Sequence, residues 1–220
     1  MKSRLSVAIL IGCLVASIAL AGGRSGSDGV DPQTAIKALL AGNKHFIKGD
    51  SRRANLSPAR RKEVAKSQHP IAIVIACSDS RVSPELIFDQ GLGDLFVVRD
   101  AGNSVDDLAM GSIEYALDHL GSRLIVVIGH ERCGAVQAAL AGGDLPGHLP
   151  SVVAPIKDAV QTTKNVRKDA QLDATVDQHV RDVIRSLQSS DSVKKLLAQK
   201  KIAIVGMRYD LDSGAVRTIK

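Results

Sequence analysis

Aromatic side chains are nearly missing from this sequence: its 220 residues include no tryptophan, two tyrosines and three phenylalanines. Ala, Val, Ile and Leu must therefore fill the core, as they do where helices cover a parallel sheet. The shortage also argues against a single-strand nucleic-acid binder, which needs aromatic platforms for its bases. No segment repeats, and no composition shift marks a second domain. At 45% hydrophobic and 24% charged, the chain suits one globular domain with a substantial core.

Cysteine is scarce too, with Cys13, Cys77 and Cys133 only. The first of these falls in residues 1–21, which read as a signal peptide. Lys2 and Arg4 give a positive start, residues 5–20 an apolar run, and Ala19-Leu20-Ala21 a small-x-small cleavage site. The run is short for a retained membrane anchor. Leu10-Ile11-Gly12-Cys13 resembles a lipoprotein box but lies inside the apolar run. Cleavage after Ala21 is expected, with export to the periplasm or medium and no stable membrane anchor afterwards. Losing Lys2 and Arg4 lowers the formal charge from +6 to +4. The remaining basic residues are dispersed, with Arg52-Arg53, Arg60-Arg61-Lys62 and Lys200-Lys201 the densest groups. They read as solvated faces, so no nucleic-acid partner is expected.

Residues 22–31 are rich in Gly, Ser and Asp and read as a flexible leader to a single domain over 32–220. Helical spacing over 32–48 predicts an N-terminal helical arm, and Ser57-Pro58 opens a second helix to about 66. Apolar runs predict strands over 71–76, 94–99, 124–128 and 201–206. Helices are predicted over 108–120, 134–141, 152–163, 172–187 and 192–199, with a loop at 142–150. A turn near 209–216 leads into a short C-terminal edge strand. Alternating strands and helices give an α/β fold with a mostly parallel central sheet flanked by helices.

Ala76-Cys77-Ser78-Asp79-Ser80-Arg81-Val82 follows the first strand, and Gly129-His130-Glu131-Arg132-Cys133-Gly134 follows Leu124-Ile125-Val126-Val127-Ile128. Two thiols and one imidazole thus fall at the carboxyl ends of two strands, where open α/β sheets build their sites. Gly134 suits a strand-to-helix turn. Two Cys and one His make a three-ligand zinc set with a fourth position left for chemistry. A Cys77–Cys133 disulfide is the structural alternative in an exported protein, but it needs neither Asp79 and Arg81 nor His130. Gly91-Leu92-Gly93 precedes a strand and lacks the third glycine of a dinucleotide fingerprint, and Asp210-x-Asp212 lacks the later ligands of a calcium loop. His45, His69, His119, His148 and His179 have no ligand-spaced partners and read as surface or capping residues.

Cys-x-Asp-x-Arg at 77–81 and His-x-x-Cys at 130–133 resemble the β-class carbonic anhydrases. The likeness extends through Gln68-His69-Pro70, residues 84–99, Ala101-Gly102-Asn103, Ile113-Glu114-Tyr115 and Gly206-x-x-Tyr209-Asp210. The resemblance implies reversible hydration of carbon dioxide to bicarbonate and a proton, with one zinc per chain held by Cys77, His130 and Cys133. It implies a catalytic dyad of Asp79 and Arg81, in which Asp79 either accepts a hydrogen bond from zinc-bound water or becomes a fourth metal ligand. Gln68 matches a bicarbonate-holding glutamine, and Phe96, Ala101 and Tyr115 match the lining of an apolar carbon dioxide pocket at a dimer interface. A homodimer or homotetramer is implied.

The same scaffold also serves carbon disulfide or carbonyl sulfide hydrolysis, which is the alternative reading beside a non-catalytic zinc protein. An intact Asp79–Arg81 dyad argues against the latter. Two positions depart from the family pattern. Asp100 stands where an apolar or amide residue is usual, and Val74 where bicarbonate-inhibited members carry tryptophan.

Overall fold

The computed structural model describes residues 29–220. Residues 1–28, with the expected signal peptide and most of the leader, lie outside that range. Five strands form one sheet in the order β2-β1-β3-β4-β5: β1 is Ala72–Cys77, β2 Leu95–Asp100, β3 Leu124–His130, β4 Ala203–Tyr209 and β5 Val216–Thr218. The first four run parallel, and β5 alone is antiparallel, to β4. Every residue of β1 and β3 is buried. Both central strands are therefore covered on both faces, which is why they read as unbroken apolar runs.

Side chains alternate between those faces. Ala72, Val74, Ala76, Leu124, Val126 and Ile128 meet helix α1 (Pro32–Lys48) through Ala35 and Leu39, and the short α3 (Pro84–Ile87) through Ile87. A second N-terminal helix, α2, is Pro58–Val64. Asp31 caps α1 by accepting from Thr34 N at 2.9 Å, with Pro32 in the first turn. On the other face Ile73, Ile75, Ile125 and Val127 pack with α4 (Asp107–Asp118), α8 (Lys168–Leu187) and α9 (Asp191–Ala198). Helix α8 lies close on the sheet because Gly129 and Gly206 have no side chain. A Cβ on Gly129 would sit 2.8 Å from Val176 Cγ1 and Val180 Cγ2.

A third cluster lies beyond the strand ends. Cys77 and Cys133 pack with Val136 of α5 (Gly134–Ala141), Ile156 and Val176.

The predicted helix over 152–163 is broken. The chain forms α6 (Leu149–Val153), a 3-10 turn at Ala154–Ile156, then α7 (Lys157–Thr162). Pro155 has no N–H to offer and its ring crowds the preceding turn. Helix α8 starts four residues before the predicted 172, because its first turn is polar and carries no apolar signal. Strand β4 runs on to Tyr209, since Met207, Arg208 and Tyr209 pair with β3 on one side and β5 on the other. No described helix is long and apolar enough to cross a membrane.

Candidate metal centre

Strand register decides the geometry. Cys77 is the last residue of β1 and His130 the last of β3, and these strands are hydrogen-bonded neighbours. Cys133 then stands at the N-cap of α5. The turn between His130 and Cys133 closes through Arg132 at φ 51°, a left-handed conformation that a non-glycine side chain disfavours. Gly134, which the sequence suggested for that turn, is instead the first residue of α5. Cys77 Sγ, Cys133 Sγ and a His130 ring nitrogen all lie within 4.8 Å of one another, and all three residues are buried.

Several features fit this trio to a divalent cation. His130 Nδ1–H donates to the Glu131 carbonyl at 2.8 Å, which leaves the Nε2 lone pair free. Nε2 is buried and has no hydrogen-bond partner. Both cysteines are free thiols sharing a hydrogen bond, which lowers the pKa of Cys77 and raises that of Cys133. A second negative charge beside the first is opposed there, and a cation between the sulfurs removes the opposition. Soft sulfur donors with one imidazole suit zinc and leave a tetrahedral position open.

Asp79 lies beside the trio. Its Oδ2 lies 4.0 Å from His130 Nε2. Arg81 grips the carboxylate with Nε on Oδ1 at 2.9 Å and Nη2 on Oδ2 at 2.6 Å, and its backbone N–H donates to Oδ1 at 2.9 Å. These hydrogen bonds hold Asp79 well below the usual carboxylate range. Sequence reading gave no role to Arg99, which ties the loop down from β2. Its Nε donates to the Cys77 carbonyl at 2.9 Å and its Nη2 to the Asp79 carbonyl at 2.8 Å. An arginine closing an apolar strand beside the site was the available signal.

The structure brings Cys77, Asp79, Arg81, His130 and Cys133 together. It does not bring Gln68 to them within one chain. Gln68 is exposed in the segment before β1, and the strand puts about 17 Å between its two ends. Phe96 is half-buried on β2, paired with Ile73. Ala101 is exposed just after β2, and Tyr115 is 49% exposed on α4, with its ring 5.1 Å from that of His119. Asp100 is the register partner of Cys77. Its Oδ1 accepts from Ser104 N at 2.8 Å, and burial pushes its pKa up to about 6.

A family model described as carbonic anhydrase matches residues 72–216. The carbonic anhydrase 2 of Mycobacterium tuberculosis is 42% identical over 191 residues, covering 84% of this chain and 91% of the relative. The chain belongs to the β-class carbonic anhydrases. The enzyme of Mycolicibacterium smegmatis is also 42% identical, over 84% of this chain and 92% of its own. Among solved structures, the β-carbonic anhydrase CafA of Aspergillus fumigatus superposes with a TM-score of 0.69 at 28% identity, covering 84% of this chain and 90% of that one. A structure described as one of two tetrameric β-carbonic anhydrases from Sordaria macrospora shares the fold, with a TM-score of 0.70 at 24% identity over 84% of this chain and 97% of that one. This carbonic anhydrase therefore hydrates carbon dioxide, and the hydrolase alternative is not favoured.

Proposed function

We propose that this carbonic anhydrase works through one zinc held by Cys77 Sγ, His130 Nε2 and Cys133 Sγ, with Asp79 and Arg81 as the gating and orienting dyad. The observation that carries the reading is the buried, unpartnered His130 Nε2 beside two thiols, 4.0 Å from the carboxylate that Arg81 holds. Zinc in such a set would supply the Lewis acidity that lowers the pKa of a bound water. With zinc bound there, Asp79 Oδ2 would be placed to accept a hydrogen bond from the attacking hydroxyl and so to orient it towards carbon dioxide. Arg81 keeps the carboxylate charged and drawn back from the open position.

The remaining site residues act across an interface between copies. Gln68 is too far from its own chain's centre, while Phe96, Ala101 and Tyr115 stand along the β2 edge and α4, half-buried or exposed. A second copy packed there closes the apolar pocket and gives a homodimer or homotetramer. Residues 1–21 direct export and are removed after Ala21, so the mature chain starts at Gly22.

Zinc analysis with stopped-flow carbon dioxide hydration tests the centre. One zinc per chain is expected in the native protein, and Cys77→Ser should lose both metal and activity. Full activity in metal-free protein overturns the assignment. Mass spectrometry of the exported fraction checks the N-terminus, and an unprocessed cytosolic product refutes export.

A further inference from the structure

His179 was read from the sequence as a surface or capping residue, yet it is 2% exposed. It lies on the buried face of α8 with Thr175, Val176, Val180 and Val183. Its Nε2 is 2.8 Å from the Gly102 carbonyl and 3.4 Å from Ser104 Oγ. A carbonyl oxygen only accepts, so Nε2 carries the proton and donates. Nδ1 is left as a buried lone pair without a partner. Burial lowers the pKa of the ring and so keeps it in this neutral form.

Across the same residue, Gly102 N–H donates to Cys77 Sγ at 3.3 Å. Gly102 sits at φ 88°, and a Cβ there would meet Ala135 Cβ and Ile156 Cδ1, each at 3.1 Å. The loop is tied beyond it by Ser104 N–H on Asp100 Oδ1. Its one side-chain anchor from α8 is His179.

We propose that His179 is a positioning residue for the metal centre: its Nε2–H holds the Gly102 carbonyl so that Gly102 N–H stays aimed at Cys77 Sγ. The inference rests on the reading of Cys77 as a metal ligand. An N–H on a thiolate disperses its charge and fixes the direction of its lone pairs, and outer partners of this kind set metal affinity and lability.

Side-chain geometry supplies the test. A glutamine amide places its nitrogen near the imidazole Nε2, an asparagine amide places it near Nδ1, and leucine fills space without a donor. In zinc-loaded protein, transfer of zinc to a chromogenic chelator should be about tenfold faster for His179→Leu. In the cobalt-loaded form the thiolate-to-metal absorption band of that variant should shift. His179→Gln should restore both readouts. A native release rate and an unshifted band in His179→Leu would overturn the proposal, as would Gln and Leu variants that release zinc equally fast.

Should the leucine variant not fold, His179→Asn carries the same expectation. In native protein loaded with NMR-active cadmium, the Gly102 amide proton should also show scalar coupling to the metal, and lack of coupling counts against the link. Native protein that binds no zinc would instead refute the proposed centre itself.

Discussion

Arg81 holds Asp79 side-on, Nε to Oδ1 at 2.9 Å and Nη2 to Oδ2 at 2.6 Å, while Asp79 Oδ2 remains 4.0 Å from His130 Nε2. In the proposed centre Arg81 would keep this carboxylate from capping the metal. Because Arg81 lowers its pKa, Asp79 stays ionised across the working range. What changes with pH is its competitor for the open position.

Hydration should therefore climb into the alkaline range. In the proposed centre two thiolates would also cancel the formal charge of the zinc, so its water would acidify less than the roughly pKa 7 of a three-histidine site. Arg81→Ala should lower activity most at the acidic end, where little hydroxide is present to displace a freed Asp79. Rates measured from about pH 6.5 to about 9 check this. A flat native profile, or a variant that loses activity equally at every pH, contradicts the gate.

Removing a metal ligand has a different signature. His130→Ala should abolish bound zinc and activity together while Arg81→Ala keeps its zinc. Without metal, Cys77 and Cys133 are two buried free thiols with their sulfurs within 4.8 Å. Metal-free protein should then lose thiols in air, and zinc-loaded protein should keep them. Thiol titration over time reads the difference.

Much of this was legible in the sequence because parallel strands buried on both faces are plain apolar runs, and β1 and β3 end on the candidate ligands Cys77 and His130. Less legible was anything set by one neighbour. The break at Pro155 follows from the proline alone, although a run of apolar residues spans it. His179 follows Thr175 by four residues and precedes Val183 by four, so helical spacing did place it on the buried face. Ligand spacing does not mark it. Its bond to Gly102 joins residues 77 apart in the chain, which no local pattern encodes. The positions of Gln68 and Tyr115 lack a local explanation for another reason: their proposed roles need a second copy.

Gly129 is a packing requirement. Its added Cβ would meet branched methyls of Val176 and Val180 at 2.8 Å, and these cannot swing away as a flexible chain end does. Gly129→Ala should push α8 off the sheet at about 1–3 kcal/mol, read as a lower midpoint in denaturant. A change under about 0.5 kcal/mol would show that α8 yields freely there.

Asp100 gives the last expectation, on stability against pH. Burial raises its carboxyl from the ordinary 3.8 to about 6 in the folded chain. Below the lower value both folded and unfolded chains hold the proton, and Asp100 costs nothing. Between the two values the unfolded chain ionises while the folded one resists, so the fold is penalised increasingly as pH rises. Above about 6 the penalty is complete. Each unit corresponds to about 1.4 kcal/mol, but the side chain is only half-buried and solvent screens part of the effect, leaving about 1–2 kcal/mol. Asparagine keeps an oxygen for Ser104 N–H and cannot ionise. Asp100→Asn should therefore stabilise the zinc-loaded protein at about pH 8, with the gain fading as pH falls through 6 towards 4. Thermal unfolding at graded pH measures it. A gain that is constant with pH would mean that the amide improves packing and that the charge of Asp100 carries no penalty.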